Sequence, residues 1–504
     1  MPPTPKNVDL LVRGGCVLTM DDEDRVYRPG AVAIQGDRIA AVGEAAEITA
    51  RYRAGDVIDR PNHAVLPGLI DAYSHAGHGM IKGVHHPHLG WPTNQIYFHA
   101  TTPDWWEAEA RLSALERVRF GTTTGLTVLG ATPARADDAV YADAHLRGVL
   151  RVGIREMLSI GPPDPFIEHL PRPWTATDWR DGRGVARPFT HEQCMDVSAD
   201  VVRRWHRTHN DRIRVCVHPP YLLGRFAQHP KFPHTYRLED TRAMVRSAED
   251  MRAFADRWKV MIHTHAFRGS LAWGAQTLGA ALDDILKPDV LLAHANGLSP
   301  DEVALAARCG CAVVWVPTTH ENILYGVCPV IDLLAAGVRV AIATDGSAPY
   351  MSLDLWKELP RAMMLQRMDK KDPAALPVGT ALRMVTADAA RAIGWGAEIG
   401  SLEPGKKADI ITVDLEQPHL VPRTHIPQLL GYYAQGADVA NVIVDGRILM
   451  RDRRVLTIDS AGVLEWAQAE ADGAFARVDI SEYLVTPREF WRAPVMPGRS
   501  RCHL

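Results

Sequence analysis

Residues 260–296 read VMIHTHAFRGSLAWGAQTLGAALDDILKPDVLLAHAN. An apolar run, Val260–Ile262, ends in His263 and His265; a longer stretch follows, and a second run, Val290–Ala293, ends in His294. The pattern extends in both directions. Strand-like runs at Gly121–Val128, Val149–Ile154, Ile213–Val217, Ala312–Val316 and Val338–Ala343 alternate with helical segments such as Thr241–Trp258 and Pro300–Arg308. Alternation of this kind, with β-branched apolar strands, predicts an α/β chain with a parallel sheet, and this many units favours a closed (β/α)8 barrel. Barrel sites are built at the C-terminal ends of strands. There, His75 follows Leu66-Pro-Gly-Leu-Ile-Asp71, His218 ends Ile213–Val217, and Asp345 ends Val338–Thr344. Imidazoles and a carboxylate converging from different strands suit a divalent ion, which lowers the pKa of water and polarises a carbonyl.

The chain ends have another texture. Short strands with turns between them fill the first sixty residues, including Asp9–Arg13, Cys16–Met20, Ala31–Ile34 and Ile39–Gly43. Similar runs return at Ala408–Val413 and Val439–Val444. The expected organisation is a small composite β-sandwich from 1–63 and 402–460, a barrel over 64–401, and a helical segment with a tail over 461–504. Residues 161–188 read as a long loop, and Arg155 and Glu156 as structural residues at the end of the third strand. Across 504 residues, 56 Lys and Arg meet 60 Asp and Glu, so charge gives no reason to expect nucleic acid or an anionic membrane. Seven cysteines without a C-x-x-C pair point to a reducing, cytoplasmic setting. No run reaches ~18 apolar residues, so no membrane span is expected. The count that stands out is 22 histidines.

Leu66-Pro-Gly-Leu-Ile-Asp71, Phe120-Gly-Thr-Thr-Thr-Gly125, His218-Pro-Pro-Tyr221, Leu292-Ala-His-Ala-Asn-Gly-Leu-Ser299, Ala343-Thr-Asp-Gly346 and Ile399-Gly-Ser-Leu-Glu-Pro-Gly-Lys-Lys-Ala-Asp409 occur in that order. Together they resemble the amidohydrolase superfamily, and within it the cytosine-deaminase and chlorohydrolase-like group. The resemblance covers most of the chain. It implies a TIM barrel with one divalent metal ion (zinc first, with Co, Mn or Fe as alternatives) and a β-sandwich from both chain ends. Carried over, His75, His263 and Asp345 become metal ligands, Asp345 also the general base, His294 the group that polarises the scissile bond, and His218 a substrate contact. His320, where relatives carry Asn, becomes a further substrate contact. Self-association is common among such relatives.

Two positions depart from the family pattern. Where the first strand normally carries His-x-His, this chain reads Tyr73-Ser74-His75, and the preceding Pro-Gly-Leu-Ile-Asp fixes the register. A phenol with a pKa near 10 binds metal poorly unless ionised. Either fewer protein ligands hold the ion, Tyr73 binds as phenolate, or another histidine substitutes. His78, His85, His86 and His88 in the next loop read mostly as solvated or substrate-facing. In the fifth strand, Ala266 stands where deaminases of the group carry a glutamate that shuttles protons to the heterocycle. His263 and His265 lie two apart and both face the lumen; either can be the strand-5 ligand, His263 being favoured, with the other an additional ligand or a group acting on substrate. Trp91, Tyr97, Phe98, Phe166, Trp174 and Trp179 either line an apolar substrate pocket, Trp91 foremost, or pack the loops. The missing glutamate favours hydrolysis of a non-peptide C–N bond (amide, urea or carbamate of a small, partly apolar molecule) by metal-activated water. The alternatives are deamination or dechlorination of an N-heterocycle and, from another class, a metal-free ligand-binding barrel. The altered first strand gives a looser similarity to phenylurea and molinate hydrolases.

Overall fold

The computed structural model describes residues 5–85, 90–131, 134–163, 173–224, 238–319, 326–348, 351–486 and 491. Its centre is an eight-stranded parallel sheet. In chain order its strands are β1 (Leu69–His75), β2 (Thr122–Val128), β3 (Arg155–Ile160), β4 (Ile213–Val217), β5 (Ile262–Phe267), β6 (Val290–Asn296), β7 (Ala312–Trp315) and β8 (Arg339–Ile342). All run parallel to their neighbours. The sheet closes between its first and last strands: Asp345 N–H donates to Tyr73 O at 3.0 Å, and Ser74 and Asp345 form a parallel bridge. Below that seam the buried Asp71 carboxylate accepts from Thr344 N–H (3.0 Å) and Thr344 Oγ1 (2.8 Å). Closure thus fixes Asp345 directly against the residues that end β1.

The barrel is the expected one, with local shifts. The run Val149–Ile154 is not the third strand. Its first residues finish the helix Ala139–Val152, the chain turns at Gly153, and β3 begins at Arg155. Arg155 and Glu156 therefore sit at the start of β3, at the opposite end of the strand from the histidines. The segment 161–188 is not all loop: Trp174–Arg180 and Arg183–Phe189 pair as an antiparallel hairpin. Its tip is Asp181-Gly182, with φ of 49° and 73°, the positive values of a two-residue turn matched to strand twist.

Both chain ends build one nine-stranded sheet, with all its strands within Lys6–Pro67 and Val439–Val455 or at Ile410–Asp414. Tyr52–Pro67 joins the two halves, pairing parallel with Lys6–Leu18 and antiparallel with Ile410–Asp414, and leads through Gly68 into β1. The first two expected strands are one. Gly14-Gly15 does not turn the chain; it lets the backbone of Tyr52–Pro67 pass closely, since a Cβ on Gly15 would lie 2.1 Å from Pro61 O. The C-terminal helix Ser460–Arg477 packs on the helix Pro103–Phe120, where the Arg111 guanidinium lies 4.9 Å from the Trp466 ring centroid.

A buried ion cluster ties this sheet to the barrel. Arg155 binds Asp409 through two nitrogens (2.5 and 3.0 Å) and also Asp445, which accepts from Arg212 at 2.8 Å. Burial disfavours the Arg155 charge, but Asp409 and Asp445 more than reverse this, and its pKa is raised. Removing one partner of a buried pair strands the other's charge. Arg155→Leu is expected to destabilise the fold by about 3–5 kcal/mol, read as a lower urea midpoint; an unchanged midpoint refutes the clamp.

Candidate active site

The lumen face of β5 carries His263 and His265, about 6–7 Å apart along the strand and hence in different layers. His265, the upper one, pairs across to Ala293, next to His294 on β6. On its other side β4 holds only one rung with β5, Val217↔Ile262. The strands part there because Pro219 and Pro220 have no N–H to continue the ladder. Pro220 instead offers its carbonyl, which accepts from His265 N–H (3.1 Å) and His265 Nδ1 (2.8 Å). His75 is held the same way, with Nδ1 2.7 Å from Gly130 O. A carbonyl only accepts, so in both rings Nδ1 carries a proton, and Nε2 faces the lumen.

Tyr73 fills the centre. Its hydroxyl lies 2.8 Å from His75 Nε2 and 2.8 Å from His265 Nε2, and its ring stands edge-on to His263 (4.9 Å) and His294 (5.4 Å). Asp345 Oδ1 is 3.3 Å from His75 Nε2; its Oδ2 accepts from Thr319 Oγ1 (2.7 Å) and its Oδ1 from Gly346 N–H (2.6 Å). One layer deeper, His263 Nδ1 meets Ser159 Oγ at 3.0 Å, and His218 Nδ1 donates to His263 O at 2.9 Å. These two rings stack at 5.0 Å, and neither Nε2 has a hydrogen-bond partner among the described residues. His294 stacks on His265 (5.2 Å) and Phe267 (5.3 Å). His294, Ala295 and Asp345 have φ of 70°, 52° and 60°. Such strain at non-glycine residues costs of order 1–3 kcal/mol each and concentrates at functional sites.

Burial sets the electrostatics. It holds His263 and His265 well below the usual imidazole range, reinforced by neighbouring histidines, and His218 down to about 3. His294 is lowered by burial, with Asp345 opposing. Burial, then Asp345 and Tyr221, push the Tyr73 phenol well up. Burial alone would raise Asp345, but the His75 hydrogen bond and charge, His294 and Thr319 outweigh it and keep it an ionised carboxylate. Neutral imidazoles beside an ionised carboxylate are the protonation states that bind a cation.

The structure thus brings together Tyr73, His75, His265, His294 and Asp345 at the barrel mouth, with His218 and His263 beneath. Of the two β5 imidazoles, His265 places its Nε2 2.8 Å from the Tyr73 hydroxyl, while the His263 ring meets the Tyr73 ring edge-on. Trp91 is 38% exposed, its ring 6.1 Å from His85, and its placement as a substrate contact gains nothing here. His320, Phe166, His86 and His88 lie outside the described residues. Tyr97, Phe98 and Trp174 pack the loops: Phe98 and Trp174 stack on Phe189 at 5.5 and 6.0 Å, and Tyr97 meets Trp106 at 5.4 Å. His78 is not solvated; it is buried and stacked on His75 at 4.9 Å, and burial with the His75 charge lowers it to about 3. The sequence reading missed Thr319 and Ser159 as partners of Asp345 and His263, because hydroxyls reveal their partner only once strands are adjacent.

The donors suit a divalent ion. Metal-binding histidines ordinarily anchor the far ring N–H on a carbonyl, as His75 and His265 do, leaving Nε2 free. Among the described residues, no three His, Cys, Asp or Glu side chains alone converge enough to hold an ion; the phenol oxygen of Tyr73 lies between the two imidazoles.

A (β/α)8 barrel with histidines and an aspartate gathered at its C-terminal strand ends, joined to a sheet from both chain termini, defines a class of hydrolase barrel. More narrowly, this chain belongs to the amidohydrolase family, whose model matches residues 64–449; a bacterial imidazolonepropionase-like composite domain matches residues 30–54. The chain is 31% identical over 467 residues to a 5-methylthioadenosine/S-adenosylhomocysteine deaminase of Syntrophobacter fumaroxidans, covering 91% of this chain and 96% of that one. It is 31% identical over 480 residues to a 5'-deoxyadenosine deaminase of Methanosarcina mazei, covering 94% and 99%. Among solved structures it is similar to a zinc-bound adenosine deaminase from Xanthomonas campestris (TM-score 0.77, 24% identity, 94% and 100% covered). It is also similar to a zinc complex of atrazine chlorohydrolase from Arthrobacter aurescens (TM-score 0.70, 21% identity, 92% and 100% covered).

Proposed function

We propose that this chain is a metal-dependent hydrolase of a non-peptide C–N bond, in an amide, urea or carbamate of a small, partly apolar molecule. The observation that carries the reading is on β5: with Ala266 and no Asp or Glu in Ile262–Phe267, that strand lacks the carboxylate that ring deamination uses. Asp345 is then the group that moves protons. It takes one from the attacking water and passes it to the leaving nitrogen as the C–N bond breaks, so the products are an acid and an amine. His75, His265 and Asp345 are the donors that would close on the ion, zinc first, which when bound supplies Lewis acidity and a lowered water pKa. His294 faces the same space and stabilises charge developing on the carbonyl oxygen. His218, with its unpartnered Nε2, contacts substrate, and His263 rests beside it.

A second reading, deamination of a 5'-deoxyadenosine-type nucleoside, is favoured by the names of the relatives at 31% identity. It requires another proton donor to the purine ring. A substrate panel separates the two: release of a substituted amine from aryl amides, ureas or carbamates supports the first. Ammonia release from adenine nucleosides alone overturns it in favour of the second. A cytoplasmic, self-associating enzyme forms part of the proposal. The reducing setting is supported by six described cysteines, all free and buried; no described helix is long and apolar enough to cross a membrane.

A further inference from the structure

Resting on that reading, we infer that Arg117, on the outer helix Pro103–Phe120, is a positioning residue that staples a bulge in β1 and so turns Tyr73 and His75 into the lumen. The bulge is read from the β1–β2 register. Asp71 pairs with Gly125 and Ser74 with Thr127, so Ala72 and Tyr73 stand opposite Leu126 alone. One extra residue breaks the alternation of a strand and re-aims the side chains beside it. In a regular strand, residues three apart point to opposite faces. Here the side chains of Asp71 and Ser74 meet the same nitrogen: Arg117 Nη2 donates to Ser74 Oγ and, at 3.4 Å, to Asp71 Oδ2. Ser74 Oγ donates in turn to the carbonyl of Leu126, the residue opposite the bulge, at 2.9 Å. Arg117 Nη1 donates to Thr127 Oγ1 at 3.2 Å and lies 3.7 Å from Glu156 Oε2. The guanidinium is enclosed, with Arg117 2% exposed and Asp71 and Glu156 0%. The ladder makes room for it, since a Cβ on Gly125 would lie 2.9 Å from Arg117 Cζ. The same Asp71 carboxylate also holds Thr344 on the far side of β1, next to Asp345. One guanidinium thus braces the strand that carries Tyr73 and His75 and, through Asp71, the strand end that carries Asp345.

Arg117→Lys separates a staple from a buried counter-charge. Lysine keeps a positive charge between Asp71 and Glu156, but its single ammonium lacks the planar fork that reaches Ser74, Thr127 and Asp71 together. The variant is expected to keep the wild-type circular dichroism, to bind Zn(II) about tenfold or more weakly, and to lose about tenfold or more in kcat with KM within about threefold. Ser74→Ala removes one hydroxyl and leaves the buried charges paired. It should weaken Zn(II) binding and lower kcat in the same direction, and the double variant should lose little beyond Arg117→Lys alone. A folded Arg117→Lys with wild-type Zn(II) affinity and kcat means that only the charge matters and overturns the inference. Losses that simply add in the double variant overturn it as well, because contacts made through one nitrogen do not act independently. Should Arg117→Lys fail to fold, Ser74→Ala decides alone, and wild-type Zn(II) affinity and kcat in that variant overturn the inference. Zn(II) affinity is read by calorimetry without substrate. A wild type that binds Zn(II) but cleaves no amide, urea or carbamate therefore overturns the proposed function and leaves the affinity test of Arg117 standing.

Discussion

Asp345→Asn is expected to cut turnover by on the order of 10³-fold or more, with the fold intact. The geometry makes this substitution unusually clean. Asp345 sits at φ 60°, a region asparagine tolerates with little penalty. Its side-chain oxygen would still accept from Gly346 N–H or Thr319 Oγ1, which now bond to the carboxylate at 2.6 and 2.7 Å. The backbone bond that closes the barrel, Asp345 N–H to Tyr73 O, does not involve the side chain. What is lost is a negative charge beside His75 and an acceptor for the water proton. Steady-state rates on a substrate from the panel, with circular dichroism as the folding control, give the answer. Activity within about tenfold of wild type would remove Asp345 from the proton path.

The barrel was legible because its strands are apolar, β-branched and separated by helical stretches, and because barrel sites collect at strand ends. His75, His218, His294 and Asp345 needed only that reasoning. The third strand was misplaced because the last helical turn, Val149–Val152, is as apolar as a strand; only Gly153 marks the change. The hairpin tip Asp181-Gly182 was a readable turn signal, masked by the Pro- and Trp-rich residues before it. Gly14-Gly15 misled in the opposite sense, since the same residue pair that makes turns also permits close backbone passage.

Choosing between His263 and His265 lay beyond sequence. Period two places both in the lumen, and the choice depends on how far the Tyr73 side chain reaches from the neighbouring layer. Residue 73 and the strand-5 ligand are therefore one problem. A longer side chain at 73 places its polar atom higher, and the β5 imidazole that meets it is the higher one.

That coupling makes the second large effect a contrast between two alanines. His265→Ala should weaken Zn(II) binding by about 10²-fold or more and abolish activity without added metal, because it removes a lumen-facing Nε2 beside Tyr73 and His75. His263→Ala should retain the ion within about tenfold, because His263 Nδ1 is engaged with Ser159 and its Nε2 contacts none of Tyr73 Oη, His75 or Asp345. Its cost should fall on stability and KM instead, through the lost stacking partner of His218 at 5.0 Å. Zinc titration by calorimetry, with thermal midpoints for both variants, separates an ion effect from a packing effect. Loss of the ion in His263→Ala together with its retention in His265→Ala would reverse the assignment and place the metal one layer deeper, between His263 and His218.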